Sequence, residues 1–416
     1  MENTKKNIFP MFTLSMMLYC ISYSTVRNYA TLFLQNEGFT NAEIGIFYSL
    51  GSAFSIISQV FLGTLLDKQD RITAKHMLCA VTGLGILDAA LVYFAQARWL
   101  IFWGFVVTNM IILLDKSLYN NFGMSYINAG YKLNYSLSRG IGSFSTSFFT
   151  ILTGVIISKY STRYIFIFFI LMHTLLLLVL LRLPLVRRSD IVDNEGPDTA
   201  DEDSPNTAPA GSSSHGTPHG TVALTNVNLW LLFVSILLIY SCYNAGNNYH
   251  INIIQALGGG SKELGVSDAI MAVVELPAMA AFLPLSRKFS YRRIMCFSLA
   301  CFVIKVLLFA IATQIYQIYV AQVLQLFSYG LFIPSSAYYI NDILGEHRRG
   351  RGQALLGVFT SGLSGLLTSP FVGLILDHYP VKTMLLFVGS IASFAVLGAI
   401  YSTGRIARVT GAHKTA

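Results

Sequence analysis

The chain has 416 residues, of which 54% are hydrophobic and 12% charged, with a mean hydropathy of +0.58. Soluble domains carry about 25% charged residues, so a soluble enzyme is excluded, as are a collagen, a disulfide scaffold and an extended disordered chain; a polytopic membrane protein remains. The net charge of +8 does not point to nucleic acid, because the basic residues sit in short loops beside apolar spans.

A hydrocarbon core of about 30 Å takes about 20 apolar residues per helix. Such windows run over 8–34, 42–66, 76–97, 99–124, 137–158, 164–186, 227–255, 266–286, 294–313, 316–340, 353–377 and 383–403. In lipid the backbone must satisfy its own hydrogen bonds, so these predict an all-α protein with 12 transmembrane helices. The alternating ten-residue segments of a barrel are absent. The first window follows Lys5 and Lys6 as a signal peptide would, but it runs on to about Leu34 without a small-residue cleavage site, so it is read as a structural helix. Residues 187–226 are rich in Asp, Pro, Gly and Ser and are expected to be a disordered cytoplasmic linker between two six-helix bundles, 1–186 and 227–416. His215 and His219 in that linker are read as solvated. Cys20, Cys79, Cys242, Cys296 and Cys301 all fall in apolar stretches and are read as small core residues; no metal site or cofactor is expected.

Most of the 28 Lys and Arg lie on one side if both termini are cytoplasmic, Lys75, Arg187, Arg292, Arg293 and Arg348 among them. Arg98, Lys159, Arg163, Lys262 and Lys382 fall on the other. This bias predicts a plasma (inner) membrane protein with both ends inside. The halves also repeat. At a displacement of 220, Asn28 and Tyr29 fall on Asn248 and Tyr249, Glu43 and Gly45 on Glu263 and Gly265, and the pair Asp67, Lys68 on Arg287, Lys288.

Between the second and third spans, Gly63, Asp67, Lys68 and Arg71 follow the loop pattern of the major facilitator superfamily, with Asp70 in place of its second Gly and Ile72 in place of its last basic residue. With twelve spans and a central linker, the chain resembles a transporter of that superfamily. Those four residues are then expected to form a charged conformational latch. Glu275, Pro277 and Met279 in span 8, Lys305 in span 9, and Arg139, Gly140 and Gly142 in span 5 resemble the branch of lactose permease-like oligosaccharide:proton symporters and phenylpropionate permease-like proteins. The departures are specific. The sugar-binding Arg of the lactose permease-like proteins aligns with Ser136, their aromatic platform with Ser143, and their proton-transfer His and Glu with Gln325 and Ser328.

Arg27, Asp88, Asp115, Lys116, Glu275 and Lys305 fall inside spans. Each costs about 2.5–3.5 kcal/mol at a helix centre, so they are expected to face the bundle interior and to pair there. Glu275, with Lys305 as partner, is the first candidate for proton coupling, since a carboxylate alternating between protonated and cation-paired states links proton to solute. The alternative is a static ion pair that fixes helix packing. Asp115 is the next coupling candidate. Adjacent residues diverge by about 100° on a helix, so Asp115 and Lys116 cannot both face a cavity. Asp88 is read as structural.

Substrate-binding candidates are Arg27 with Tyr23 and Asn28, Lys116, Arg139, the span-7 stripe Tyr240, Asn244, Asn247 and Asn248, and Gln322 with Gln325 in span 10. Amides and phenols offer both donors and acceptors to hydroxylated ligands; interhelical adhesion is the alternative. His250 is read as a satisfied interface residue. Pro277, Pro284, Pro334 and Pro370 are candidate bends. No nucleotide loop, zinc-protease motif or nucleophile elbow occurs, so no enzyme is expected. The expectation is a monomeric secondary transporter of a small polar solute, sugar-like solutes among the candidates, coupled to protons. The alternatives are an efflux antiporter for amphipathic compounds and a lipid flippase.

Overall fold

A computed structural model describes residues 7–68, 72–187, 222–223, 225–344 and 348–409. Among them every regular element is a helix; the one β-type pairing joins Asn7 to Lys132. The chain divides into two compact units, Met1–Phe39 with Ile46–Ser204, and Thr40–Gly45 with Pro205–Ala416.

The first unit holds α1 (Phe9–Asn36), most of α2 (Asn41–Lys68), α3 (Ala74–Phe94), α4 (Arg98–Asn128), α5 (Tyr135–Lys159) and α6 (Tyr164–Arg182). Helix starts follow from caps. Thr73 accepts from the His76 amide and Asn134 from the Leu137 amide. The core is aromatic: Phe12, Tyr119, Phe122 and Tyr126 are buried together, and the two tyrosine hydroxyls are satisfied by backbone, Tyr119 donating to Ser15 O at 3.2 Å and Tyr126 to Pro184 O at 2.6 Å. α5 packs against α1 because Gly142 carries no side chain; a Cβ there would stand 2.9 Å from Cys20 Sγ.

Arg163, in the turn before α6, ties three segments together. Its guanidinium donates to both Glu37 oxygens at 2.8 and 2.7 Å and to Tyr93 O and Ala95 O at 3.0 and 2.8 Å. The pair is 27% and 17% exposed, so its worth is discounted for solvent. Arg163→Ala is expected to cost about 2 kcal/mol, and Arg163→Lys somewhat less, since an ammonium keeps the charge without the fork. Thermal unfolding in detergent, read by a thiol dye on the buried Cys242 and Cys301, measures both.

The second unit holds α7 (Val227–Asn248), α8 (His250–Ala256), α9 (Ser261–Ser286), α10 (Tyr291–Ile311), α11 (Ile315–Gln322), α12 (Tyr329–Leu344), α13 (Arg349–Gly357), α14 (Ser364–His378) and α15 (Val381–Val409). The first turn of α2, Thr40–Gly45, belongs here too. Asp377 accepts from the Asn41 and Ala42 amides at 2.8 and 2.9 Å, and Tyr249 donates to Asn41 O at 3.0 Å. A carboxylate thereby caps a helix start 336 residues away in sequence.

The internal repeat has a structural content. Gly38 and Gly258, 220 apart, both take positive φ, 83° and 80°, closing α1 and α8 where any Cβ would be strained. Glu43 and Glu263 then reach back to the backbone N–H of Thr40 and Gly260, each at 2.8 Å; Thr40 Oγ1 accepts in turn from the Glu43 amide at 3.2 Å and completes a capping box, whereas Gly260 has no side chain to do so.

Eleven helices among the described residues are long and apolar enough to span a membrane. The window predicted at 266–286 is helical as α9, with Asp268 and Glu275 on it. Large apolar side chains such as Leu87, Phe148, Phe371 and Phe394 face outward, as on a protein solvated by lipid. The chain is an all-α integral membrane protein.

Two predicted spans are not continuous α-helix. Span 10 tightens to a 3-10 turn at Val323–Gln325 between α11 and α12, and span 11 passes through a π-helical segment, Val358–Leu363. Of the proposed latch, Gly63, Asp67 and Lys68 stand in the last two turns of α2, and Arg71 lies outside the described residues. The predicted linker also lies outside them, save Arg187, Val222, Ala223, Thr225 and Asn226.

Candidate functional site

The densest polar cluster of the second unit forms where span 10 tightens. Gln325, on the 3-10 turn, is fully buried. Its amide oxygen accepts from Lys305 Nζ at 2.7 Å, and its amide nitrogen donates to Glu275 Oε1 at 2.9 Å and lies 3.3 Å from the Tyr243 hydroxyl. Lys305 of α10 and Glu275 of α9 are therefore joined through an amide whose dipole runs from cation to anion. Gln325 stands between the two residues expected to pair. Tyr243 stacks on Tyr329 at 5.5 Å and meets Phe302 edge-on at 5.1 Å; Tyr240 lies beside Tyr243, Phe302 and Phe332. The charged group is thus enclosed by aromatic rings from α7, α10 and α12. Lys305 is 3% exposed, and burying it unpaired would cost several kcal/mol.

One turn earlier on span 10, Gln322 reaches Ser267 Oγ at 3.1 Å. Ser267 bonds His250 Nε2 at 3.2 Å, and His250 Nδ1 bonds Asp268 Oδ1 at 2.8 Å. The Phe309 ring lies parallel to His250 at 5.9 Å, and Lys305 Nζ stands 5.6 Å from the centroid of the same ring. His250 and Asp268 are 4% and 6% exposed. The imidazole is satisfied on both nitrogens. Asp268 is not among the intramembrane charges singled out from the sequence, because it lies near the helix start in a polar run; its spacing of seven from Glu275 puts both on one face of α9, which was readable.

The span-7 stripe faces α14. Asn244 donates to Ser364 Oγ at 2.8 Å and Asn248 to Ser369 Oγ at 2.9 Å, while Asn247 bonds the Tyr243 hydroxyl. Asn244 and Asn248 thus join helices within the unit, and Asn247 alone of the three amides meets the aromatic cluster.

In the first unit, Arg27 lies over the Tyr48 ring at 5.0 Å, and Tyr48 bonds Thr31 at 3.1 Å. Tyr23, Arg27, Asn28, Lys116 and Arg139 are all half-buried. Asp115 and Lys116 diverge as expected: Asp115 is buried against His173 of α6, and Lys116 is half-buried on another face of α4. Asp88 accepts from Thr108 at 2.6 Å and lines an apolar groove between α3 and α4. The sequence reading missed His173 and Ser22; the signal was a single imidazole in an otherwise apolar span 6. No grouping of His, Cys, Asp and Glu fit for a metal occurs among the described residues.

A sequence profile of the MFS_1 like family matches residues 11–387. The maltose permease of Geobacillus stearothermophilus is 26% identical over 157 residues, which is 38% of this chain and 40% of the permease, so under half of that relative's length is matched. Among solved structures, a mutant of the nucleoside transporter NupG superposes with a TM-score of 0.76 at 13% identity, covering 94% of this chain and 98% of that one. A bacterial homologue of the human lysosomal transporter Spinster, inward-facing and occupied, does so with a TM-score of 0.66 at 10% identity, covering 95% and 96%. At such identities these structures show the fold, which is one of membrane transporters. The family profile spans most of the chain, and the protein belongs to the MFS_1-like family.

Proposed function

We propose that this protein is a secondary active transporter that carries a small, hydroxylated polar metabolite across the plasma (inner) membrane by alternating access, in symport with protons. The observation that carries the reading is the chain from buried Lys305 through buried Gln325 to half-buried Glu275, set on the tightened turn of span 10 beside Tyr240, Tyr243, Phe302 and Tyr329. Interrupted helices and intramembrane charges are where transporters place solute and coupling ion. The carboxylates of Glu275 and Asp268 outnumber the Lys305 ammonium by one. A single proton neutralises the cluster in a medium that penalises net charge.

Aromatic faces beside amides and hydroxyls suit the apolar and hydroxylated faces of a sugar-like ring. The maltose permease and the nucleoside transporter that resemble this chain take solutes of that kind by name. Tyr23, Arg27, Asn28, Lys116 and Arg139 are the first unit's candidates for solute contact. One charge moving through about 100 mV supplies about 2.3 kcal/mol, enough for about 50-fold accumulation.

The test is a screen of sugars and nucleosides on proteoliposomes carrying an internal pH dye. One solute class is expected to acidify the lumen when added outside. Solute exchange without proton movement would keep transport and remove the coupling, and absence of both with folded protein would remove the whole reading.

A further inference from the structure

The first unit contains a second buried acid–base group, remote in sequence from the cluster around Glu275. Ser22 of α1, Asp115 of α4 and His173 of α6 are 0%, 1% and 2% exposed. His173 Nδ1 is hydrogen-bonded to Ser22 Oγ. Its Nε2 faces Asp115 Oδ2 at 3.5 Å, too long for a made hydrogen bond. Phe169, one turn earlier on α6, stacks on the imidazole at 3.8 Å and fixes the ring plane. On the α3 side Gly85 leaves room, since a Cβ there would stand 3.4 Å from Nε2.

Two polar atoms of this group have no hydrogen-bond partner, Asp115 Oδ1 and His173 Nε2. Leaving buried polar atoms unpaired costs about 1–3 kcal/mol each, more for a charge. The other titratable groups on the surrounding helices supply no neutralising cation. α1 presents Tyr19 and Cys20, α3 Cys79 and Asp88, and α4 Tyr119. Arg27 of α1 lies over the Tyr48 ring, Arg139 of α5 acts on Cys20 and Tyr135, Lys116 lies on another face of α4, and α6 carries His173 at its middle with Tyr164 and Arg182 at its two ends. A buried carboxylate with no lysine or arginine against it leaves a negative charge to be compensated.

We infer that Ser22, Asp115 and His173 form a proton-binding site internal to the first unit. One added proton, shared between His173 Nε2 and Asp115 Oδ2, turns a near-contact into a charge-neutral hydrogen bond and supplies the missing partner. A hard cation is a poorer occupant, because it seeks a shell of oxygens and the nearest open group is an imidazole nitrogen. The site differs from the triad of a hydrolase in burial: its hydroxyl is wholly enclosed and held by the imidazole as packing. It binds its proton whether or not the second unit couples protons to solute.

The test uses the full chain in lipid nanodiscs without any solute, titrated from about pH 5 to about pH 9 and followed by pH-difference infrared spectroscopy. A protonated-carboxyl C=O band is expected to titrate in the wild type, to persist in Glu275→Gln and Asp268→Asn, and to vanish in Asp115→Asn. His173→Gln is expected to displace its midpoint. Ser22→Ala, which keeps both titrating groups and their volume, is expected to move the midpoint and the imidazole nitrogen resonances of the labelled protein, and it stands in if Asp115→Asn does not fold. A band that survives Asp115→Asn, no titrating band at all, a midpoint indifferent to both His173→Gln and Ser22→Ala, or a band that answers to sodium in place of pH overturns the site. Because no solute is present, failure here is distinct from failure of the transport reading.

Discussion

Glu275→Gln abolishes solute-driven proton movement in proteoliposomes while solute exchange down its own gradient persists. The substitution keeps the shape and a hydrogen-bonding oxygen for Gln325, whose amide nitrogen donates to Glu275 Oε1 at 2.9 Å, but removes the one charge in that chain able to take a proton. Coupled sites ordinarily change each other's affinity by about 5–150-fold; in the variant, the effect of solute on proton affinity falls to near one. Exchange tolerates the loss because the aromatic rings of Tyr243, Tyr329 and Phe302 stay in place. Counterflow of labelled solute and the internal pH signal, measured on the same vesicles, separate the two quantities. Proton movement at wild-type rates would make Glu275 a packing residue, its carboxylate serving only to hold Gln325 and Lys305.

Span positions were legible because lipid imposes one rule on every helix: about 20 apolar residues and no unsatisfied backbone. The window at 266–286 obeys the same rule, although the helix it forms, α9, carries Asp268 and Glu275. The repeat was legible at Glu43 and Glu263, and the fold supplies the reason, since each closes the cap of the helix it begins. What stayed hidden depends on through-space neighbours. Gln325 stood out as a departure from the family's His and as a candidate for solute contact, but nothing in its local sequence says that its amide spans Lys305 and Glu275. The tightening at Val323–Gln325 was hidden for the same reason. His173 lies in a run of apolar residues 58 positions from Asp115, and only the packing of α4 on α6 joins them. The span-7 amides were expected to share one polar stripe, but which helix each faces is a matter of rotation, and Ser364 and Ser369 settle it for Asn244 and Asn248.

The largest effect on stability is expected at Lys305. Lys305→Met removes the only buried cation of the Glu275–Asp268 cluster among the described residues. Gln325 loses its donor, and the two carboxylates are left without a counter-charge. Breaking one side of a buried charge network costs about 3–5 kcal/mol, a large share of the margin by which a protein stays folded. If the cost is electrostatic, it is recoverable: Lys305→Met with Glu275→Gln restores about half or more of it, because the second change removes the stranded charge. Gln325→Met separates the bridge from the charges. It leaves Lys305 and Glu275 in place without their amide, and its cost is expected at about 1–3 kcal/mol, that of unmade hydrogen bonds. Thermal unfolding with the thiol dye, run on these three variants, on Glu275→Gln alone and on the wild type, gives the order Lys305→Met lowest, Gln325→Met intermediate, with the double variant above Lys305→Met. A double variant as unstable as the sum of its parts would mean that Lys305 holds the fold through packing of its methylene stem against Phe309, and the charge pairing that underlies the proton-coupling argument would lose its energetic basis.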